Sequence, residues 1–339
     1  MDRREFLQTA AFGAAGLAVG EAKESKPTSE TLVAQLYSTL SDDQKSTMHF
    51  DFDDPLRSRV ENNWHITPAR IGQFFNRDQQ ALIQDIFFGM HNPEFHKPLA
   101  QHLRDDAGGL EGYSVALFGE PGTGKFEFVV TGRHMTARCD GDSVDGAAFG
   151  GPIFYGHEGD RFVELPTHPG NVYWFQALRA NEVFQALDGK QRAVALRDRL
   201  RRETGTSTVA LHLNPDEIAG LPVADMSRDQ RELVDNVLAD LLLPFREADR
   251  NEAMKLIRET GGVESLKMSF SKSQDTGNDG VWEVWELESP NMVWHFRGAP
   301  HVHAYVNIQR VAGWQPPDSL GGGRGTGRMG RRRGGFGRG

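Results

Sequence analysis

Four segments of the chain combine a helix-capping signal with a preceding apolar residue. In each segment a Ser, Asn or Asp precedes a Gln by three positions, and the segments begin at Ser41, Asn76, Asp188 and Ser227. This arrangement is the capping box with a hydrophobic staple, in which the cap side chain and the Gln each bond a free backbone N–H. Apolar residues recur at helical spacing after Asn76 and Ser227. The pattern predicts helices that begin at these boxes, and their irregular spacing predicts no repeat array.

Segments with strand character lie in two groups, one in the first half of the chain and one near its end. Tyr113–Phe118 and Lys125–Thr131 are joined by a short Gly-rich turn. Val281–Glu288 alternates apolar and polar residues, and Asn291–Arg297 and His301–Ile308 follow it closely. Consecutive strands joined by short turns pair antiparallel. Because helical segments separate the two groups, we expect an α+β fold, an antiparallel sheet with N-capped helices packed around it.

The Gly-rich turn matches a phosphate-binding motif only in part. Gly119–Lys125 has the G-x-x-x-x-G-K pattern, but Phe126 stands where a Ser or Thr would hold magnesium. The residues that follow resemble a strand, whereas a phosphate cradle needs the N-terminus of a helix there. We therefore expect a plain turn and no nucleotide site.

The N-terminus has the layout of an export signal. Arg3 and Arg4 precede a run of small and apolar residues, 9–20, that is too short to cross a membrane. The adjacent arginines resemble a twin-arginine signal, with cleavage expected near Ala22, and a fraying Ala-rich helix is the alternative. The sequence thus predicts a signal peptide at residues 1–22 and a periplasmic or extracellular location. Twin-arginine export carries folded proteins, which favours a cofactor loaded before export.

The opposite end is rich in glycine and arginine. Residues 321–339 hold ten Gly and six Arg, a composition that predicts disorder. The chain carries a net charge of −9, and removing the −1 of residues 1–22 and the +6 of the tail leaves −14 for residues 23–320. This acidic body, expected to be a single α+β domain, is not a nucleic-acid-binding domain. The tail is either a solubilising segment or an electrostatic tether to the anionic envelope.

The last predicted strand carries two histidines with metal-chelating spacing. His301, His303 and Tyr305 would share one face of the strand, while Val302 and Ala304 would face a core. The chain has one cysteine, so a transition-metal site must use imidazole and carboxylate ligands. The pair predicts a site for a divalent transition metal in a cleft, and a merely polar strand face is the alternative.

A third ligand has to come from another part of the chain. His134 follows a predicted strand and would lie over the sheet, whereas His157 and Glu158 form a second candidate on a Gly-flanked loop. Three other histidines are not expected to bind a metal. His295 is expected to be buried and hydrogen-bonded, and His91 and His96 are expected on a surface loop.

Several segments, in order along the chain, resemble the DUF3500 family, a group of uncharacterised and mostly exported proteins. The matching segments are Trp64–Gly72, Tyr113–Gly119, Gly132–Met135, Pro152–Glu158, Asp188–Arg192 and Glu286–His303. The resemblance implies no reaction. It does imply that six of the polar and aromatic residues belong to recurring motifs: Trp64, Arg70, His134, Glu158, His301 and His303.

Two kinds of function follow from these patterns. In the first, the protein is an exported metal-dependent enzyme acting on a small molecule, with His134, His301 and His303 as ligands and Glu158 as fourth ligand or general base. Substrate would be bound by Arg133, Arg70 and Trp64, because guanidinium groups hold anions by paired hydrogen bonds. In the second, it is a non-catalytic binding or envelope-associated protein whose late tryptophans form a stacking surface: Trp282, Trp285 and Trp294.

Overall fold

The structure is a computed structural model that describes residues 28–159 and 163–320. Within these ranges the chain adopts a mixed α/β fold, in which nine α-helices accompany one open and largely antiparallel sheet of 11 strands. The predicted signal peptide, residues 1–22, and the predicted tail, residues 321–339, lie outside the described residues.

The elements alternate between helical and strand segments along the chain. The helices are α1 (Ser29–Thr39), α2 (Asp42–Met48), α3 (Ile71–Phe74), α4 (Arg77–Gly89), α5 (His96–Ala107), α6 (Trp174–Ala186), α7 (Gly189–Ala195), α8 (Arg228–Leu242) and α9 (Glu247–Glu259). The strands are β1 (His49–Phe50), β2 (Ser114–Gly119), β3 (Phe126–Gly132), β4 (Met135–Cys139), β5 (Ile153–His157), β6 (Leu196–Arg197), β7 (Leu221–Pro222), β8 (Lys267–Ser271), β9 (Val284–Ser289), β10 (Met292–Arg297) and β11 (Val302–Ile308).

The sheet is antiparallel except at its two edges. Its order is β1-β2-β3-β4-β5-β11-β10-β9-β8-β6, with β7 also paired to β8, and the pairs β1–β2 and β6–β8 are parallel. The expected antiparallel pairing of β2 with β3, and of β10 with β9 and with β11, is confirmed. The Gly-rich segment after β2 is a turn into β3, as expected.

All four sequence-predicted capping boxes are present. Both hydrogen bonds of the box form at the start of α2, α4, α7 and α8, where the caps are Ser41, Asn76, Asp188 and Ser227. The glutamines of the boxes also bond each other in pairs, which docks two helix N-termini together in each half of the chain. The Nε2···Oε1 distances are 2.9 Å for Gln44–Gln79 and 3.0 Å for Gln191–Gln230.

These pairs reveal two halves of the sheet that share one plan. In each half a capped helix leads into a two-residue strand (α2 to β1, α7 to β6), a second capped helix follows (α4, α8), and four antiparallel strands complete it (β2–β5, β8–β11). The two-residue strand pairs parallel with the first of those four in both halves, and β5 meets β11 in the middle. Irregular box spacing concealed this twofold repetition because the connecting segments differ in length.

The two faces of the sheet are covered by different material. One face packs its apolar side chains, such as Val130, Tyr155 and Trp294, against the helices in the largest core cluster. The other face is covered by irregular chain, including Val209 and Leu211. The sequence predicted helices packed around the sheet. In the structure the helices pack on one face, because long coil segments cover the other.

Candidate metal centre

Three strand ends meet at one end of the sheet. They are the two-residue turn between β3 and β4, the C-terminal end of β5, and the turn between β10 and β11. Because β4, β5, β11 and β10 are neighbours in antiparallel order, these ends lie side by side. The first turn supplies His134, the last supplies His301, and β11 adds His303, so the three histidines predicted from the sequence come together.

The three imidazoles surround a common point. One ring nitrogen from each of His134, His301 and His303 lies within 4.8 Å of the other two. The Nε2 atoms of His301 and His303 are 3.0 Å apart. Two nitrogens bound to one tetrahedral ion at the usual bond length are about 3.4 Å apart, so closure needs the ring nitrogens to approach one another by about 1.4 Å at most. The geometry fits a single transition ion.

Carboxylates hold the far side of two rings. Nδ1 of His134 donates to Oδ1 of Asp106 at 2.9 Å, and Nδ1 of His303 donates to Oε2 of Glu203 at 2.6 Å. A metal-binding histidine usually donates its other ring N–H to a carboxylate, which fixes the tautomer and leaves a lone pair for the ion. Asp106 and Glu203 therefore leave Nε2 of both rings available as a ligand atom.

The third ring lies on the open side of the centre. His303 and His134 are each 4% exposed, whereas His301 is only partly buried. Nδ1 of His301 is 3.9 Å from Oε2 of Glu158, a half-exposed carboxylate that forms an ion pair with Arg133. The two residues predicted to act beside the ligands thus border the trio on its accessible side.

Burial keeps the three histidines uncharged. Removal from water disfavours the imidazolium form and lowers the pKa of His134 to about 3 and the pKa of His301 and His303 to about 4. Each ring is therefore neutral at physiological pH, which is the form that binds a metal.

The supporting carboxylates differ in charge state. Burial alone would raise the pKa of Glu203, but hydrogen bonds from His295 and His303, with the charge of Arg297, bring it well below its usual range. Burial raises the pKa of Asp106 to about 7 despite the nearby cations. Glu203 is thus a firmly ionised partner, whereas Asp106 is close to its titration point at neutral pH.

The backbone at His134 adopts an uncommon conformation. Its φ is 54°, in the left-handed region that non-glycine residues seldom occupy. Its N–H donates to the Asn62 carbonyl at 2.8 Å, and its carbonyl accepts from Gly156 at 3.1 Å. A Cβ at Gly156 would collide with the Val302 carbonyl oxygen and press on the His134 ring. Backbone strain of this kind concentrates at functional sites.

Two further predicted site residues, Arg70 and Trp64, make hydrogen bonds to neighbouring segments of the fold. Arg70 donates through Nη1 to the Gly112 carbonyl at 2.7 Å. Trp64 is 9% exposed and donates through Nε1 to Oγ1 of Thr136 at 3.0 Å. These contacts give both residues a structural role, and their part in substrate binding stays a prediction.

The histidine assignments outside the trio need two corrections. His157 lies in strand β5 rather than a loop, and its Nε2 bonds Oδ2 of Asp105 at 3.0 Å instead of facing the trio. His91, expected at the surface, is 6% exposed because its backbone pairs with Phe245 and its Nδ1 donates to a helix carbonyl. His295 is buried and bonded to Glu286, as expected.

The late tryptophans do not form a stacking surface. Trp285 and Trp294 are completely buried on the helix-covered face of the sheet. Trp282 is partly buried and packs against Phe184. The expectation is wrong because the alternation in this segment reflects a sheet covered on both faces.

The sequence patterns missed the carboxylates that support the ligands. Asp106 lies 28 residues before His134, and Glu203 lies 100 residues before His303. Two features of the sequence could have pointed to these carboxylates. Asp106 is an acidic residue in the last turn of α5, where the helix dipole disfavours negative charge, and Glu203 directly follows an arginine-rich stretch.

Comparison with known proteins places the chain in a family. No curated protein and no solved structure matches it. Across the ranges that the structure describes, no helix has both the length and the apolar character needed to cross a membrane. A family model described as "Protein of unknown function (DUF3500)" matches residues 23–308, and it spans the trio, both supporting carboxylates and the whole sheet. The chain belongs to the DUF3500 family.

Proposed function

We propose that His134, His301 and His303 bind one divalent transition metal, and that the protein is an exported metal-dependent enzyme acting on a small molecule. The observation that carries the proposal is the convergence of three neutral imidazoles, two of which donate their Nδ1–H to carboxylates. Imidazole ligands suit zinc, copper, iron and nickel, so the donor set limits the ion without naming it.

The remaining residues of the site have distinct roles. A bound ion with three protein ligands supplies Lewis acidity to a water or a substrate oxygen. Glu158 lies on the exposed side of His301, where it accepts a proton as general base or serves as a fourth ligand. Burial raises the pKa of Glu158, but His301 and Arg133 together bring it below its usual value, so it is ionised and able to accept.

Arg133 is the residue best placed to hold an anionic part of the substrate. Its guanidinium is 42% exposed and contacts Glu158 and, at 3.5 Å, Asp106. An incoming carboxylate or phosphate group would share this guanidinium through paired hydrogen bonds. Displacement of Glu158 from Arg133 would then free the glutamate for proton transfer.

The export proposal rests on the N-terminal arginine pair and the run of small residues that follows it. Folded export is compatible with a metal bound before translocation. The Gly/Arg-rich residues 321–339 would add an electrostatic contact with the envelope. Deleting 321–339 should then release the protein to the soluble fraction, and unchanged partitioning would remove the tether from the proposal.

Metal analysis of protein purified from the exported fraction tests metal binding. We expect close to one equivalent of a single transition ion in the wild type, loss of that ion in His134→Ala, and a more weakly held ion in His301→Ala, which removes only the ligand on the exposed side. His212→Ala is the matched control, because His212 bonds Glu288 outside the trio. Substoichiometric zinc, copper, iron, nickel and manganese in the wild type would refute the site.

A spectroscopic experiment separates an enzyme from a closed structural site. Cobalt(II) replaces the native ion, and azide is added while the visible spectrum is recorded. A catalytic centre keeps an open position and its spectrum changes with azide, whereas a structural centre is closed. An azide-insensitive spectrum would favour a non-catalytic metal protein.

A further inference from the structure

A cleft lies next to the metal centre, and Glu203, the partner of His303, is one of the residues that line it. It has a volume of about 490 Å³ and is enclosed by residues 199–203 together with parts of β9, β10 and the segment after β8. None of the three histidines lines it. Four arginines do: Arg199, Arg201, Arg202 and Arg297.

Two of these arginines are neutralised by buried carboxylates. Arg201 lies 3.3 Å from Glu286 and 2.5 Å from Glu288, and Arg297 donates to Glu203 at 2.5 Å. These pairs attach the 199–203 segment to the sheet. Their charges are already matched within the protein.

The other two arginines are not neutralised. Arg199 and Arg202 are exposed at the mouth of the cleft, and neither forms an ion pair with any residue in the described ranges. Positive charge concentrated at one concave site attracts anions, and this chain is otherwise acidic, with a net charge of −9. Guanidinium groups match carboxylate and phosphate oxygens in pairs.

The cleft also has the size and the polar groups of a small-molecule site. Its volume falls within the range of about 300–1,000 Å³ typical of such sites. Ser273 and Gln274 line it beside the arginines and offer uncharged donors.

We propose that this cleft binds a small dianion with carboxylate or phosphate groups, held by Arg199 and Arg202. The ligand would be separated from the ligand His303 by the side chain of Glu203, because Glu203 lines the cleft and also accepts from His303. The site is assembled by the protein alone, so the inference does not depend on metal binding.

Calorimetric titration of the full-length protein at low salt tests the site, with inorganic phosphate and succinate as separate probes. In the variant Arg199→Gln/Arg202→Gln we expect the affinity for the preferred probe to fall at least about tenfold, since two charge-assisted contacts are lost. The matched control is Arg228→Gln/Arg258→Gln, which removes two exposed helix arginines elsewhere. It should change affinity by less than about twofold.

The outcomes separate the sources of an anion signal. Tighter binding of phosphate or of succinate identifies the phosphoryl or the carboxylate class. Equal affinity in the wild type and the cleft variant would place binding elsewhere, such as the arginines of residues 321–339, and would overturn the proposal. Absence of binding by either probe would also overturn it. Metal content measured on the same samples should be unchanged in the cleft variant, which distinguishes failure here from failure of the metal centre.

Discussion

The two halves of the sheet share a plan, but their corresponding turns carry different chemistry. The turn between β3 and β4 consists of Arg133 and His134, and the corresponding turn between β9 and β10 consists of Pro290 and Asn291. Each joins two neighbouring antiparallel strands with only two residues. One half therefore closes its hairpin without an imidazole.

A second pair of corresponding connections also differs in its chemistry. The β10–β11 turn bears His301, whereas its counterpart in the other half, the loop between β4 and β5, bears none of the three histidines. Beside that loop, at the opposite end of the sheet, the buried Glu127 pairs with Arg138 and Arg57. This end satisfies its buried charges with an arginine–carboxylate cluster. The end of the sheet that holds the β10–β11 turn carries the histidine trio instead.

The largest expected effect lies in the shared core and should leave the metal centre unaffected. Phe128 and Trp285 occupy corresponding positions in the two halves, and both are completely buried. Replacing either with Ala should lower the free energy of unfolding by about 3–5 kcal/mol, because a large cavity is left. Urea denaturation measures this loss.

Metal stoichiometry in those two variants sharpens the comparison. Both should keep the ion as long as they remain folded, since neither side chain contacts the trio. Loss of metal from folded Phe128→Ala would contradict the assignment of the site to one end of the sheet.

The next effect distinguishes two carboxylates that each accept a hydrogen bond from a histidine. Glu203 accepts from the ligand His303, whereas Glu288 accepts from His212, which lies outside the trio. Glu203→Gln should weaken metal affinity about 10- to 100-fold, because the ring loses its anionic partner. Glu288→Gln should leave the affinity unchanged. Competition with a chelating dye measures both, and equal affinities in the two variants would remove Glu203 from the site.

The last effect is a pH dependence at the end of the sheet opposite the histidine trio. Burial raises the pKa of Asp140 to about 6, above its ordinary value of 3.8. The protonated form therefore adds stability that is fully present below about pH 4 and is lost as pH rises through 6. Asp140→Asn should remove this loss, so its stability relative to the wild type should be greater at pH 8 than at pH 4, by up to about 3 kcal/mol. If the free energy of unfolding changed with pH by the same amount in both proteins, the effect of burial on Asp140 would be contradicted.

Local pattern predicted much of the fold and part of the site. The capping boxes and the period-two alternation depend on neighbouring residues, so Ser227 and the His301–His303 pair were recognisable from sequence. Strand β5 escaped because Gly156 and Gly159 suggested a loop. Gly156 is instead needed where two backbones approach closely.

The supporting residues could not be predicted because their contacts are distant along the chain. Glu203 reaches His303 only after an irregular segment folds back over the sheet, and no local period describes such a segment. His91 illustrates the same limit, since its burial depends on pairing with Phe245. Such contacts depend on which distant segments the sheet order brings together, and a local sequence pattern does not contain that information.

Extended X-ray absorption fine structure of the metal bound to the purified protein tests the histidine centre most directly. Three imidazole nitrogens at about 2.0–2.1 Å from one ion, reduced to two in His301→Ala, are the expected result. A shell made only of oxygen atoms, or an imidazole count that is the same in the variant, would contradict metal binding by this trio.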